Sequence, residues 1–500
     1  MADTQREIER KYESDDGRLP DLTGAGPVAA VLDRGVVELD ATYYDTADER
    51  LAAASLTLRR RTGGSDAGWH LKTPVAPGVR DEIRAPLSDA VPPEIAALVR
   101  SRVRDAELIP LVRLRTVRDV RHLVDADGAL LAEASVDAVT AERLTGPGGA
   151  ARWTEIEVEL ADGGDPALLD QVDERLRKAG VRPSAATSKL ARALERTAGH
   201  RRGKKTEPPP PATAGDHVLA YLRAQRDALV ELDPAVRRDL PDAVHRMRVA
   251  TRRARSTLRT FRSLLDRTAT APAAAELKWL AGELGADRDQ EVLADRLTTA
   301  LAALPPDQVA GPVQDRLTAW AAARSHTTRR HLLAVLDSAR YLALLDTLDA
   351  LLADPPLREA AAKKPEKALA KAVRKSVKQL TDVMEHALEP PPGQDRDHAL
   401  HEARKQAKRT RYAAEAAADA LGGPARSLTR TAKSLTSLLG DHQDSVMARR
   451  ALREQSAVAH AAGEDTFTYG VLYAREEARA AAVEAELPGR WRRSRSEAES

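Results

Sequence analysis

The chain has 500 residues, of which 42% are apolar and 31% charged; 78 Lys and Arg face 76 Asp and Glu, for a net charge of +2. It is too long for one hydrophobic core and too apolar for a disordered chain, so at least two folded domains are expected. It contains no cysteine, which excludes disulfides, thiol nucleophiles and thiolate metal sites and leaves carboxylates, imidazoles, amines and guanidiniums to carry any chemistry.

Residues 1–12 are charged and hold no apolar run of signal-peptide length, and no later segment offers about 18 uninterrupted apolar residues. A soluble cytoplasmic protein without membrane contact is expected. Within the first 190 residues, alternating runs at 36–44, 55–61, 68–73, 132–139 and 153–160 read as strands, separated in places by Gly63-Gly64, Pro77-Gly78, Asp127-Gly128 and the glycines of 146–149. An antiparallel sheet or barrel follows. A first strand puts Glu7, Glu9 and Lys11 on one face and Ile8 and Arg10 on the other; Glu155, Glu157 and Glu159 alternate in the same way, as do Arg59 and Arg61. Carboxylates and guanidiniums sharing a concave interior would cost several kcal/mol per ion without partners. Mg²⁺ or Mn²⁺ on the glutamates and a phosphate polyanion on the basic residues would satisfy both sets.

The elements EIERK (7–11), YYDT (43–46), LRRR (58–61), WHLKTP (69–74), EIEVEL (155–160) and Ser188-Lys189 occur in that order. Through them, about the first 190 residues resemble the CYTH family of triphosphate tunnel metalloenzymes. The resemblance implies a closed tunnel of eight antiparallel strands around a linear triphosphate and one or two divalent ions. Glu7, Glu9, Glu155, Glu157 and Glu159 would then bind metal or orient the attacking water, and Glu7, Glu9, Lys11, Glu155 and Glu157 would form the catalytic set. Lys11, Arg59, Arg61, Lys72, Arg115, Arg118 and Lys189 would grip phosphate oxygens, with Arg113 added, which requires the strand alternation to break between Arg113 and Arg118. Arg80-Asp81-Glu82 stands where the family often has arginine and two glutamates, so Asp81 is a departure.

The run RRGKKTEPPPP from Arg201 can continue neither a helix nor a strand ladder, so 201–214 is expected to be a basic, proline-rich linker between domains at 1–200 and 215–495. Beyond it Ala, Leu, Arg and Glu at spacings of three and four predict helices throughout. The segment VHRMRVATRRARSTLRTF from Val244 is echoed by LHEARKQAKRTRYAAEAA from Leu400, and each is followed by a similar segment, LGADRD (284–289) and LGDHQD (439–444), expected to be turns. Two similar helical bundles are the simplest architecture, and with the barrel they make an α+β multidomain protein.

His245, Arg248, Arg252, Arg255 and Arg259 fall on one stripe of a helix, and His401, Arg404, Lys408 and Arg411 repeat its first four positions. Such a stripe repels itself, and a polyanion would relieve it. The histidines sit among arginines rather than carboxylates, which favours phosphate donation over metal ligation. With few aromatic residues near the stripes to stack bases, nucleic acid is the disfavoured polyanion. HRMRVATRRARSTLR from His245, HEARKQAKRTRY from His401 and the paired segments ending at Asp289 and Asp444 resemble the CHAD domain, the conserved histidine α-helical domain. That resemblance implies a basic surface that binds inorganic polyphosphate. Lys363, Lys364, Lys367, Lys371, Arg374, Lys375 and Lys378 mark another cationic helix. The function expected from both resemblances is metal-dependent hydrolysis of inorganic triphosphate, or a related triphosphate compound, joined to polyphosphate binding. The alternatives are a non-catalytic, granule-associated polyphosphate binder, a thiamine-triphosphatase and a class IV-type adenylate cyclase.

Overall fold

A computed structural model of the protein describes residues 3–14, 17–146, 149–197 and 209–499, with the side chains of 286–291, 323–327 and 497–499 excepted. Residues 201–208 of the expected linker, and the side chain of Asp289, therefore lie outside the described residues. The chain divides into two compact units, Met1–Glu207 and Pro208–Ser500.

The first unit is a barrel of β1 (Asp3–Glu13), β2 (Ala30–Asp45), β3 (Thr57–Thr62), β4 (Gly68–Ala76), β5 (Val79–Ala85), β6 (Ile109–Val124), β7 (Leu130–Arg143) and β8 (Ala150–Leu160). These strands run in the order β5-β4-β3-β2-β6-β7-β8-β1, and pairing of β1 with β5 closes the ring; the two-residue β9 (Arg182–Pro183) adds to β1. All pairings are antiparallel. The β3–β4 hairpin depends on Gly63 at φ 81°, where a Cβ would come within 2.3 Å of the Glu38 carbonyl oxygen.

Because side chains alternate along each strand, the wall is apolar outside where helices cover it and mostly charged inside. Outside, Ile95, Leu98, Val99 and Val103 of α2 (Pro93–Val103) cover Leu58, Trp69, Leu71 and Ile83, and α3 (Ala167–Lys178) covers Tyr12, Ala134, Ile156 and Val158. The four-residue α1 (Arg50–Ala53) is held by Asp45, whose carboxylate accepts the backbone N–H groups of Thr46, Leu51 and Ala52. At one end α4 (Lys189–Thr197) packs Leu190, Ala193 and Leu194 on Ala41, Tyr43, Leu114, Val139 and Trp153, which closes that end.

The second unit is helical. Directly after the prolines, Thr213 and Asp216 form a capping box that starts α5 (Ala214–Arg237). It is followed by α6 (Ala243–Thr260), α7 (Arg267–Ala302), α8 (Val313–Asp337), α9 (Ala339–Ala353), α10 (Pro365–Leu388), α11 (Gln394–Ala416), the short α12 (Ala418–Leu421), α13 (Gly423–Ala461) and α14 (Phe467–Glu499). The repeated segments are α6 and α11, which pack against each other, with α7 packed on α6 and α13 on α11. Neither LG segment is a turn. Both lie inside the long helices α7 and α13, where the surrounding Ala, Leu and Glu carry the helix through the glycine.

Candidate functional site

Inward-facing side chains of β1, β3, β4, β5, β6 and β8, with Ser188 and Lys189, enclose a cavity of about 750 Å³ in the barrel. Glu7, Glu9, Lys11, Arg59, Arg61, Lys72, Arg80, Glu82, Arg84, Arg118, Glu157 and Glu159 all contribute to its wall. The strand register sets opposite charges beside one another, Glu7 facing Arg80 and Lys11 facing Glu157, but it also sets Glu9 opposite Glu159.

Most of these charges are already paired. Lys72 bonds Glu7 at 2.5 Å and lies 3.6 Å from Glu82; Lys11 bonds Glu9 at 3.0 Å and also bonds Glu157. Arg118 holds Asp137 at 2.7 Å and Glu157 at 2.8 Å. Lys189 reaches Asp137 at 2.9 Å, Glu155 at 2.9 Å and Glu157 at 2.5 Å, so its ammonium sits where three buried carboxylates converge. Burial opposes charge on Lys189, but Asp137, Glu157 and Glu155 outweigh it and hold the ammonium well above its usual range. Burial likewise opposes ionisation of Glu157, yet Lys11, Lys189 and Arg118 keep its carboxyl well below the usual range.

Glu159 is different. Among the described residues its side chain makes no hydrogen bond or ion pair. Burial first and the neighbouring Glu7 second push its carboxyl up to about 7. Glu7, too, is raised, by burial, with Lys72 working against the rise. The Glu159 carboxylate is thus left without a side-chain partner opposite Glu9 and beside Glu7, while among the described residues the three tunnel carboxylates whose oxygens converge closely enough for one ion are Asp137, Glu155 and Glu157. These acidic groups fit a divalent metal.

In the helical unit the stripes of α6 and α11 face each other. Lys408 is brought down to about 7, first by burial and then by Arg404, Arg252, Arg248 and Arg411. Arg255 and Arg409 are both lowered by burial and then by Arg259. Among the described residues, Glu415 pairs with Arg253 at 2.8 Å and with Arg411 at 3.2 Å, and Asp444, raised by burial, faces Arg404. The glycines inside α7 and α13 make room for these cations. A Cβ on Gly285 would lie 3.2 Å from the Arg248 guanidinium, and one on Gly440 would lie 3.4 Å from that of Arg404.

The CYTH domain model matches residues 5–194 and the CHAD domain model residues 220–453. Two proteins of Mycobacterium tuberculosis, Uncharacterized protein Rv2226 (strain H37Rv) and Uncharacterized protein MT2285 (strain CDC 1551), are each 41% identical over 489 residues, covering 94% of this chain and 92% of theirs. The chain belongs to the CYTH–CHAD fusions. Among solved structures, PptA from Streptomyces chartreusis is similar at 25% identity and a TM-score of 0.48, over 56% of this chain and 99% of its own. The CHAD domain from the plant Ricinus communis is similar at 24% identity and a TM-score of 0.44, over 58% of this chain and 95% of its own. CYTH enzymes depend on metal, and the acidic groups of this CYTH tunnel could hold one.

The CYTH tunnel separates the residues singled out in the sequence. Glu7, Glu9, Lys11, Arg59, Arg61, Lys72, Arg118, Glu157, Glu159 and Lys189 share the cavity wall. Glu155 does not line it; its carboxylate accepts the Trp153 indole N–H at 2.6 Å and pairs with Lys189 and Arg192. Arg113 and Arg115 are a correction. Pairing of β6 with β7 runs from Val112 to Leu123 without a register shift, so the alternation never breaks: Leu114, Thr116 and Arg118 point inward, while Arg113 and Arg115 point outward to Asp40, at 2.5 and 3.8 Å. Asp81 also faces out, to Arg6 at 2.9 Å, so this departure falls outside the cavity. Sequence reasoning missed Asp137, Glu82 and Arg84. The signal was available, since Glu133, Ser135 and Asp137, and likewise Arg80, Glu82 and Arg84, alternate as the chosen glutamates do. Glu82 accepts from His70 at 3.0 Å and holds Arg84, and Asp137 is fully buried. In the CHAD unit, His245, Arg248, Arg252, Arg255 and Arg259 lie on α6, and His401, Arg404, Lys408 and Arg411 on α11.

Proposed function

We propose that the tunnel hydrolyses a linear inorganic triphosphate with the help of Mg²⁺ or Mn²⁺, and that α6 and α11 bind inorganic polyphosphate. The observation that carries the first part is the cavity wall itself. Most of its carboxylates pair with cations, and Glu159 is left without an ion pair among the described residues. Glu7, Glu9 and Glu159 would hold the metal, with Glu157 adjoining. A metal so bound would neutralise charge on phosphate oxygens and assist in-line attack by water. With Glu7 and Glu9 holding a metal, Lys72 and Lys11 would each have one carboxylate partner fewer and could present ammonium N–H groups to the substrate. Arg59 and Arg61 donate to phosphate oxygens from the opposite wall, and Arg118 and Lys189 keep Glu157 ionised. No covalent intermediate is required.

The second part rests on two facing stripes whose guanidiniums and ammoniums depress one another. A phosphate chain would add counter-charge where these cations crowd one another. A substrate panel tests the catalytic reading: tripolyphosphate, thiamine triphosphate, ATP and long-chain polyphosphate, each with Mg²⁺ or Mn²⁺, read for phosphate and for cyclic nucleotide. Tripolyphosphate should be the best substrate. Failure to release phosphate from any of them would overturn the enzymatic reading and leave polyphosphate binding as the function.

A further inference from the structure

The cationic stripe does not stop where α6 stops. Arg262 follows Arg259 by three residues, the spacing that separates His245 from Arg248, and stands one residue past the helix cap at Phe261. There it lines a cleft of about 590 Å³ together with Arg267, Arg358, Lys363, Glu359 and Ser263. Four cations meet one carboxylate. The other acid nearby in sequence, Asp266, is committed elsewhere, since it accepts the backbone N–H groups of Thr268 and Ala269 to cap α7. Among the described residues, Arg262, Arg267, Arg358 and Lys363 have no ion pair or side-chain hydrogen bond. Exposed arginines elsewhere in this unit do find partners, Arg340 with Glu276 at 2.6 Å for example.

The backbone that carries the four cations is tied down. Leu265 and Leu357 form an isolated β-bridge, Arg358 N–H bonds Leu264 O at 2.8 Å, and Asp266 N–H bonds Pro356 O at 2.9 Å. Ala214 N–H bonds Lys363 O at 3.0 Å, so the cleft lies where the chain enters the helical unit from the proline-rich segment. A concave, pre-formed site whose four cations outnumber its one carboxylate, Glu359, suits a multiply charged anion. Its position just past the C-terminal end of the helix that carries the stripe favours an extended one.

We propose that this cleft is a further phosphate-binding site, which holds the leading phosphates of an inorganic polyphosphate chain whose following phosphates lie on α6. The proposal rests on the polyphosphate reading of the α6 and α11 stripes. Sites joined by one ligand act through effective concentration, so the cleft adds to long chains what it cannot give to short ones.

The test uses the full chain and the double variant Arg262→Gln/Lys363→Gln, titrated with polyphosphate of about 100 phosphates and with tripolyphosphate over a range of salt. Long-chain affinity should fall roughly tenfold and the salt slope should flatten by about two counterions, as expected when two phosphate contacts are lost. Tripolyphosphate turnover and helical circular dichroism should stay as in the wild type. Lys367→Gln/Lys371→Gln on α10 removes the same charge away from the cleft and should cost long-chain affinity far less. Equal losses in the two double variants, or unchanged binding in the first, would overturn the cleft while leaving the stripe reading intact. A wild-type chain that does not bind long polyphosphate at all would instead refute the stripe reading and the cleft with it.

Discussion

Replacing Lys408 by methionine isolates the charge at the centre of the facing stripes. Lys408 is partly buried, with Arg404 and Arg411 on its own helix, Arg248 and Arg252 across on α6 and Asp444 on α13. Burial and the four guanidiniums bring it from 10.5 to about 7, which at about 1.4 kcal/mol per pH unit makes the charged form cost on the order of 5 kcal/mol in the folded protein. The folded value lies below the unfolded one. Folding therefore expels a proton between about 7 and 10.5; stability rises with pH across that window, and the cost is complete below 7. Lys408→Met should raise the thermal midpoint at pH 7 and lose most of that advantage by about pH 9.5. A polyphosphate chain laid on the stripe brings the missing negative charge and moves Lys408 back up. At pH 8 the free protein holds this proton in roughly one molecule in ten, so binding should take up close to one proton, falling to about a tenth of a proton at pH 6. Titration calorimetry in two buffers of different ionisation enthalpy reads this directly. Heats at pH 8 that do not depend on the buffer, or the same uptake in Lys408→Met, would refute the reasoning.

In the tunnel, Glu159 must lose its proton before it can hold a cation, and its value of about 7 lies above the ordinary one, so Mn²⁺ affinity should climb between about pH 5.5 and 7 and level off beyond. Glu159→Gln should flatten that profile, lower metal-dependent turnover at least tenfold and raise metal-free stability above pH 7, all measurable by titration, phosphate release and thermal melting. Gly440→Ala and Gly285→Ala should strengthen their helices by up to about 1 kcal/mol while crowding Arg404 and Arg248. A higher melting temperature with several-fold weaker polyphosphate binding is the expected pair of outcomes, and unchanged binding would show that the two arginines need no such space. Arg113→Ala and Arg115→Ala should leave tripolyphosphate turnover within about twofold of wild type, because both side chains lie on the outer face with Asp40.

The strand-borne part of the tunnel was legible because period-two alternation is a local property. Once Glu7, Glu9 and Lys11 occupy one face, the sequence already states that Ile8 and Arg10 occupy the other. Arg113 and Arg115 were misplaced by giving a basic residue type more weight than that alternation. Leu114 and Thr116, one step out of phase with them, already marked the inward face. What alternation cannot supply is which charges meet across the barrel. That Lys189, from the start of α4, would sit among Asp137, Glu155 and Glu157 depends on the ring closing and on α4 entering its end. In the helical half the stripes could be read from spacing, but the LG segments could not. A glycine amid strong helix formers signals a break from local propensity alone, and only the Arg248 and Arg404 guanidiniums lying over Gly285 and Gly440 give it another purpose.

The near-zero net charge hides two opposite solutions to holding ions. In the tunnel nearly every carboxylate has a cation within ion-pair distance, so burial is compensated internally, and the unpaired Glu159 marks where an external cation would enter. On the facing helices like charges crowd one another: Lys408, Arg255 and Arg409 are all depressed by burial and by their neighbours. Depressed cations on a surface are a standing cost to the fold that a bound polyanion removes, so ligand binding and stability are linked there. On the proposed function, the same linkage would run through the metal in the tunnel, and the two units would differ in what their ligands bring, a cation with its triphosphate to one and only negative charge to the other. Chelation should abolish tripolyphosphate turnover while leaving long-chain polyphosphate binding untouched.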